Sequence, residues 1–220
     1  MAHTQPKKRQ RRPGSWDTCH TGLQFCSDND LGIPKLEPFS HPLPEDINLA
    51  AYNVRDDSGD KISKTIAHFF LDDFRFESVW LRPQTGLTRV GRFWGALTPD
   101  FSLYTDWPLA AQIYNTYRSR WIGCYWQRHG IAVIPTVSWS TAASFEFCFL
   151  GIEPNSPVAI SVPDLRDQRT KHLFIQGFAK LQQTLEPSLI LSYGRLPFNC
   201  KDVLDFPPDW LKLRHLTPRD

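Results

Sequence analysis

Residues 109–139 read LAAQIYNTYRSRWIGCYWQRHGIAVIPTVSW, and this stretch decides the fold. From Leu109 to Cys124, apolar residues recur every three or four positions, which predicts a long helix with one apolar stripe. Gly130 is a typical residue to end that helix. Residues 131–139 then form a short apolar run of the kind found in buried parallel strands. A long helix that leads directly into a buried strand is the building unit of a parallel α/β sheet.

Similar apolar runs occur on both sides of this unit. They lie at residues 65–71, 93–97, 157–162, 188–194 and 203–206. A second apolar helical stripe, which includes Leu173, Phe178 and Leu185, separates two of these runs. The alternation predicts an α/β fold of five or six βα units with a mostly parallel sheet. Five or six units are too few for a complete eight-stranded barrel, so the sheet is either truncated and barrel-like, which we favour, or open and doubly wound.

Composition predicts two unequal parts of the chain. With 41% hydrophobic and 13% aromatic residues, 220 residues can build one core of ordinary size. We therefore expect a single α/β domain at residues 31–220, preceded by a basic, flexible N-terminal arm at residues 1–30. The proline-rich segment 32–60 is expected to be an irregular entry to the domain. Deleting residues 1–25 is expected to leave the fold intact.

The N-terminal arm carries a cluster of basic residues. The cluster consists of Lys7, Lys8, Arg9, Arg11 and Arg12. Such a cluster can bind nucleic-acid phosphates because it releases their condensed counterions, although basic tails also serve solubility. The arm therefore predicts nucleic acid as a partner.

The chain lacks several signals that would assign other classes. It has no apolar run of about 18 residues and no secretory leader, so we predict a cytoplasmic protein without a membrane partner. It has no phosphate-binding loop, no dinucleotide fingerprint and no serine-hydrolase elbow. The sequence does not indicate an oligomeric state.

Acidic side chains follow the first two predicted strands, where parallel α/β proteins bind ligands. Asp72 and Asp73 end the first run, and Asp100 follows the second. Because adjacent residues of an extended chain point to opposite sides, only one of Asp72 and Asp73 can face the crevice. That carboxylate and Asp100 are predicted to act as catalytic acid and base, or to hold a divalent cation. The alternative is that they cap helices or pair with Arg118.

Other polar and aromatic side chains are expected near the same crevice and are candidates for substrate binding. These residues are Ser102, Asn115, Arg118, Thr136, Ser138, Trp139 and Tyr193. Arg118 needs an anion or carbonyl partner, and we favour a structural partner over a ligand. Arg120 and Gln127 are expected on the solvated face of the long helix.

Five segments of the chain resemble a known family. They are HFFLDDFRFE (68–77), TPDFSLY (98–104), NTYR (115–118), VIPTVSW (133–139) and SFEFCF (144–149). In their order and spacing, the chain resembles the domain of unknown function family 4417 from about Gly32 to Gly194. The resemblance implies a cytosolic protein of bacteria, phages and other mobile elements, sometimes labelled a partition or replication protein, with no established activity.

Two functional hypotheses follow. In the first, the acidic, aromatic-lined crevice acts on a polar substrate such as a nucleotide, a nucleic acid or a sugar. In the second, the protein is a non-enzymatic, DNA-associated accessory protein of a phage or plasmid that binds DNA through the basic arm, and the crevice is only packing. We favour the first.

Overall fold

The computed structural model describes residues 18–54, 62 and 64–208. Its strands are β1 (Asn48–Ala51), β2 (Thr65–His68), β3 (Gly95–Leu97), β4 (Ala132–Ile134), β5 (Val158–Ser161), β6 (Ile190–Tyr193) and β7 (Val203–Phe206). Its α-helices are α1 (Glu77–Leu81), α2 (Pro83–Val90), α3 (Leu109–Arg128) and α4 (Gln168–Leu185). Two short 3₁₀ helices lie at Asp73–Arg75 and Ala142–Glu146.

The strands are parallel and follow one another in chain order. β1 to β4 form one sheet and β5 to β7 a second sheet. A parallel bridge between Thr136 and Ala159 joins the two across β4 and β5. This confirms the α/β fold with its parallel sheet. The order contains no reversal of the kind that defines a doubly wound sheet, and no pairing between β1 and β7 closes a barrel within the described residues.

The two faces of the sheet have different coverings. One buried cluster takes residues from all of β1 to β6 and, among the residues that the structure describes, none from a helix: Leu49, Ile66, Leu97, Ile134, Ala159, Leu191 and Tyr193. The alternate strand residues Ala67 and Val133 pack in the cluster that contains α3, and Val158 and Ile190 pack with α4. The helices therefore cover one face, while the other face packs on itself, as it does inside a barrel.

The strand and helix boundaries differ in detail from those expected. β1 was not predicted, because its NLAA sequence lies within the proline-rich segment that we expected to be irregular. α3 begins at Leu109 after Pro108, as expected, but Leu109 is 46% exposed and does not belong to the core stripe. Gly130 follows the helix with φ of +79°, a conformation that favours glycine.

Part of the segment assigned to the N-terminal arm packs on the domain. The hydroxyls of Tyr114 and Tyr117 donate to the carbonyls of Thr18 and Cys19, and Trp121 Nε1 donates to the carbonyl of Leu23. The ring of His20 stacks on Trp121 with centroids 4.5 Å apart. The boundary between the arm and the domain therefore lies before residue 30. Composition marks residues 18–25 as polar and irregular, but tertiary contacts hold them on the domain. Deletion of residues 1–25 is therefore expected to destabilise the fold, because it removes the contacts of residues 18–25 with α3.

The basic cluster Lys7–Arg12 lies outside the described residues, so its role stays a prediction. No helix in the part of the chain that the structure describes is both long and apolar enough to cross a membrane.

Candidate functional site

The ends of β2, β3 and β4 bring two carboxylates and several hydroxyls to one edge of the sheet, here called the carboxyl edge. Asp72 and Asp73 follow β2 and point in different directions, as expected. Asp72 is exposed and pairs with Arg75 at 3.2 Å. Asp73 is half-buried and faces the segment that follows β3. Of the two, Asp73 is therefore the residue that belongs to the site.

The Asp73 carboxylate holds Ser102 at two points. It accepts a hydrogen bond from Ser102 Oγ at 2.8 Å and another from the Ser102 amide at 3.2 Å. The Ser102 carbonyl in turn accepts from Asn115 Nδ2 on α3 at 2.7 Å. This chain of hydrogen bonds joins the segment after β2, the segment after β3 and the first half of α3.

Arg118 continues this series of hydrogen bonds from Asn115 to Glu77 of α1. Its guanidinium donates to Asn115 Oδ1 and to Glu77 Oε1, both at 2.6 Å, and lies 3.8 Å from the centroid of the Phe101 ring. Its partners are thus a glutamate and an amide rather than one of the three candidate aspartates. None of the residues that the structure describes is a hydrogen-bond partner of its buried Nε atom.

Asp100 is the most perturbed carboxyl group of the site. Ser138 Oγ donates to Asp100 Oδ1 across the ends of β3 and β4. The pKa of Asp100 is raised to about 6: burial is the largest cause, the hydrogen bond from Ser138 lowers the pKa, the nearby Asp73 carboxylate raises it, and the Arg120 charge lowers it. Desolvation has this sign because it disfavours the charged form of an acid. Asp100 therefore exchanges its proton near neutral pH, unlike an ordinary aspartate.

Arg120 and Asp100 line the same small cavity. The expectation that Arg120 faces solvent is wrong. It is only 2% exposed. Its guanidinium donates to the carbonyls of Thr136, Cys148 and Leu150 at 2.9–3.1 Å. Burial lowers the pKa of Arg120 to about 10. A guanidinium can be buried in this way because the three carbonyls satisfy its donors, and because helix α3 is covered on more than one side.

Thr136 has a structural position in the site. Its amide donates to Thr98 Oγ1 at 2.9 Å, and its hydroxyl donates to the Thr98 carbonyl at 2.7 Å. Ser119 of α3 also donates to Thr98 Oγ1. These buried bonds fasten the ends of β3 and β4 to the helix, so the Thr136 hydroxyl is engaged rather than free for a ligand.

Two of the candidate substrate-binding residues lie elsewhere. Trp139 packs on α4, where its Nε1 donates to the Leu173 carbonyl and its ring covers Gly177 so closely that a Cβ there would lie 2.0 Å from Nε1. Tyr193 lies on the inner face of the sheet, with its ring 4.7 Å from His68 and 4.8 Å from Phe70. Both were expected at the crevice as candidates for substrate binding, and the sequence could not show their actual positions because these depend on how the sheet curls.

A small cavity lies between Asp100, Arg120, Ser138 and Asn115. Its volume of about 10 Å³ suffices for a single water molecule. Chemically, the arrangement offers a proton acceptor or donor at Asp100, hydroxyls at Ser102 and Ser138, and buried positive charge below. Within residues 18–54, 62 and 64–208, no three His, Cys, Asp or Glu side chains are grouped to hold a metal ion. A divalent cation therefore stays a prediction that depends on Asp73 and Asp100 with the serine oxygens.

The sequence contained a signal for the missed residues. The polar residues Gln112, Asn115, Thr116 and Ser119 recur at helical spacing and are buried, as is the adjacent Arg120. This second stripe could have been recognised by its period, but polar residues at that spacing are more often solvated. Glu77, which pairs with Arg118, carried no signal of its own.

The chain matches one family model and is similar to two phage proteins. The model of the family described as Domain of unknown function (DUF4417) matches residues 25–207. The chain is 42% identical over 209 residues to the Gene 1 protein of Mycobacterium phage D29, covering 92% of this chain and 76% of that protein. It is also 42% identical over 217 residues to the Gene 1 protein of Mycobacterium phage L5, covering 95% and 93% respectively. No solved structure matches the chain.

Proposed function

Because the chain belongs to the DUF4417 family, whose description names no activity, we propose a function from the site itself: the protein is an enzyme that uses Asp100 for proton transfer on a polar substrate bound at the carboxyl edge. The substrate classes that fit are a nucleotide, a nucleic acid or a sugar, all of which present hydroxyl or amino groups to carboxylates and serines. We propose a cytoplasmic location for this reaction.

One observation carries the proposal: two carboxyl groups, Asp73 and Asp100, follow consecutive strands, and burial together with the charge of Asp73 raises the pKa of Asp100 to about 6. Clustered carboxylates repel each other, so a fold that needed only helix caps would gain nothing from this arrangement. A group with a pKa near the working pH is suited to general acid–base catalysis. Perturbed acids are concentrated at functional sites.

The neighbouring residues have distinct roles in this proposal. Asp100 takes the proton from the substrate, or gives one to it. The Ser138 hydroxyl orients the carboxyl group through their hydrogen bond. Asp73 and Asn115 fix Ser102 at its hydroxyl, amide and carbonyl. Arg120 is a positioning residue whose positive charge favours the ionised form of Asp100.

A ligand panel tests the proposal. Melting temperatures are measured for wild type, Asp100→Asn and Asp72→Asn with nucleoside monophosphates, short oligonucleotides and sugars, and stabilising compounds are then incubated and analysed for products. Asp72→Asn is the matched control, because Asp72 lies next to Asp73 but is exposed and paired with Arg75. We expect one class of compound to stabilise wild type and the control, and to be converted by both but not by Asp100→Asn. Equal responses of the two variants to every compound would contradict the proposal.

A second candidate is a DNA-associated accessory protein that binds through Lys7, Lys8, Arg9, Arg11 and Arg12. The observation that favours it is five basic residues within six positions. Binding by such a cluster weakens steeply with added salt. DNA binding that is lost on deletion of residues 1–14 and is unchanged in Asp100→Asn, in the absence of any conversion, would favour this candidate over the enzyme.

A further inference from the structure

The connection between β6 and β7 differs from the one that precedes it. β5 and β6 are joined through the long helix α4, whereas residues 194–202, which join β6 to β7, are all described by the structure and contain no helix. Parallel strands are normally joined by a helix that covers one face of the sheet. On β7, a short irregular connection therefore lies where a covering helix would otherwise pack.

A cleft of about 560 Å³ lies at this connection. Residues 195–200 line it, together with Val203 and Asp205 of β7. Val203 pairs in register with Ile190, and both pack in the cluster that contains α4. Asp205 lies two residues further along the strand and so points to the same face. The cleft therefore opens on the helix-bearing face of the sheet, and its volume is typical of a site for a small molecule.

The wall of the cleft is anchored on α4. The ring of Phe198 meets that of Phe178 on α4 edge to face, with centroids 4.9 Å apart. Cys200 Sγ accepts a hydrogen bond from Gln182 Nε2 of the same helix at 3.6 Å. Leu196 is buried. A wall that is held in place in this way loses little entropy when a ligand binds.

Two opposite charges line the cleft without pairing. The Arg195 and Asp205 side chains are both exposed, and within the described part of the chain neither forms an ion pair. Asp205 pairs in register with Ser192, and Arg195 lies three residues beyond Ser192. At about 3.3 Å per residue, the two positions are offset along the strands by up to about 10 Å. The cleft thus presents a cation and an anion to the same space.

We propose that this cleft binds a small zwitterion with an apolar side chain, which is a free amino acid or a short peptide. Arg195 binds its carboxylate, because a guanidinium recognises that group through two parallel N–H donors. Asp205 accepts hydrogen bonds from its ammonium group. The apolar wall formed by Leu196 and Phe198 contacts its side chain, which removes apolar surface from water.

The two charges also discriminate against other ligands. A polyanion that binds Arg195 meets the like charge of Asp205, and a metal cation that binds Asp205 meets Arg195. A ligand that carries both charges avoids both repulsions. The inference goes beyond the proposed function, since the cleft belongs to β6 and β7 whereas Asp100 follows β3.

The test is a calorimetric titration of the full chain with L-phenylalanine and with the dipeptide L-phenylalanyl-L-leucine, and the tighter of the two identifies the source of the ligand. N-acetyl-L-phenylalanine lacks the ammonium group, and L-phenylalaninamide lacks the carboxylate. We expect each of these two compounds to bind roughly 10- to 150-fold more weakly than phenylalanine, the range for loss of one hydrogen bond to a charged group. No binding of either zwitterion at millimolar concentration would overturn the inference, as would a blocked compound that binds as well as phenylalanine.

Variants of the two charged residues test their roles. Arg195→Met and Asp205→Asn should each weaken binding of the zwitterion roughly 10- to 150-fold. Arg169→Met is the control for the first, because Arg169 is exposed on α4 and does not line the cleft. Asp202→Asn is the control for the second: Asp202 is exposed in the same connection, does not line the cleft and has φ of +56°, which asparagine tolerates. Melting curves confirm folding, and equal binding by a variant and its control would contradict the proposal.

Alkylation by iodoacetamide, followed by mass spectrometry, tests where the ligand lies. Cys200 lines the cleft and is half-buried, while the exposed Cys19 and Cys26 serve as internal references. At a ligand concentration ten times Kd, the rate at Cys200 should fall about 11-fold and the rates at the references should not change. Protection of a reference cysteine, or an unchanged rate at Cys200, would place the ligand elsewhere and overturn the inference.

Asp100→Asn separates this inference from the proposed function. The variant should bind the zwitterion with wild-type affinity, because Asp100 does not line the cleft. Binding of the zwitterion without conversion of any substrate at the carboxyl edge would reject the enzyme and support the cleft. Conversion that depends on Asp100, with no binding of either zwitterion, would reject the cleft and support the enzyme.

Discussion

The two sides of α3 are buried by different means. One side is aromatic: Trp121 and Tyr125 stack at 5.4 Å, with Trp80 and His20 against Trp121. The other side is polar, and its Arg120 donates to three main-chain carbonyls. Both sides exclude water, yet only the polar side needs its partners at defined positions.

The difference shows which side of α3 determines the precise geometry of its surroundings. Aromatic burial is roughly proportional to the area removed from water, so it tolerates small shifts. A buried polar group leaves an unsatisfied partner if it moves, at about 1–3 kcal/mol per group. The polar side therefore fixes the geometry of the carboxyl edge, and the aromatic side fixes α3 and the segment before residue 26 on the domain.

The largest expected effect comes from breaking the polar side. Arg120→Met keeps an apolar stem but leaves the carbonyls of Thr136, Cys148 and Leu150 without these donors. At roughly 2 kcal/mol for each acceptor, partly offset by removal of a buried charge, we expect the free energy of unfolding to fall by about 4–6 kcal/mol. Urea unfolding measures this change.

Arg128→Met is the control for Arg120→Met, since Arg128 is the exposed last residue of α3. Its stability should stay within about 0.5 kcal/mol of wild type. If Arg120→Met were as stable as this control, the loss of hydrogen bonds to the three carbonyls would cost no stability. The polar side of α3 would then need no more precise geometry than the aromatic side.

A smaller effect is expected from uncovering the aromatic side. A chain that begins at Thr18 serves as the reference, because it keeps the contacts of residues 18–25 described above. A chain that begins at Cys26 loses the hydrogen bonds from Tyr114, Tyr117 and Trp121, and it also loses the packing of Leu23 and Phe25. We expect a loss of about 2–4 kcal/mol in thermal or urea unfolding. Equal stability of the two truncated chains would show that the segment adds nothing to the aromatic side.

Much of the fold could be predicted because it depends on local periodicity. β7 occupies the residues that its apolar run predicted, 203–206, and Gly130 follows α3 as expected. β1 could not be predicted, since its sequence is short and not distinctive, and pairing with β2 alone defines it.

The candidate site could be predicted in part. The placing of Asp73 and Asp100 at neighbouring strand ends follows from parallel topology, and so does the outward direction of Asp72. The role of Arg120 could not be predicted, because it depends on carbonyls of Cys148 and Leu150, about thirty residues away along the chain. Trp139 and Tyr193 were misplaced because the sequence does not specify how strongly the sheet curls.

The smallest expected change in the free energy of unfolding is that of Asp100→Asn, which should increase stability rather than lower it. Its pKa in the folded chain is about 6, above its ordinary value of 3.8. The fold therefore favours the protonated form, so the full stability is present below about pH 4 and is lost as the pH rises through 6. Two pKa units correspond to at most about 3 kcal/mol. Asparagine can still accept from Ser138 and carries no charge, so Asp100→Asn should avoid this loss.

The most direct test of the account is the free energy of unfolding of wild type and Asp100→Asn, measured from pH 4 to pH 8. If Asp100 is a functional acid held against the stability of the fold, the two proteins are equally stable at pH 4. The variant then becomes the more stable of the two by up to about 3 kcal/mol at pH 7.5. If Asp100 is instead a structural partner of Ser138 and Arg120, the variant is less stable than wild type at pH 7.5. That result would contradict the central claim that the carboxyl edge is built for chemistry.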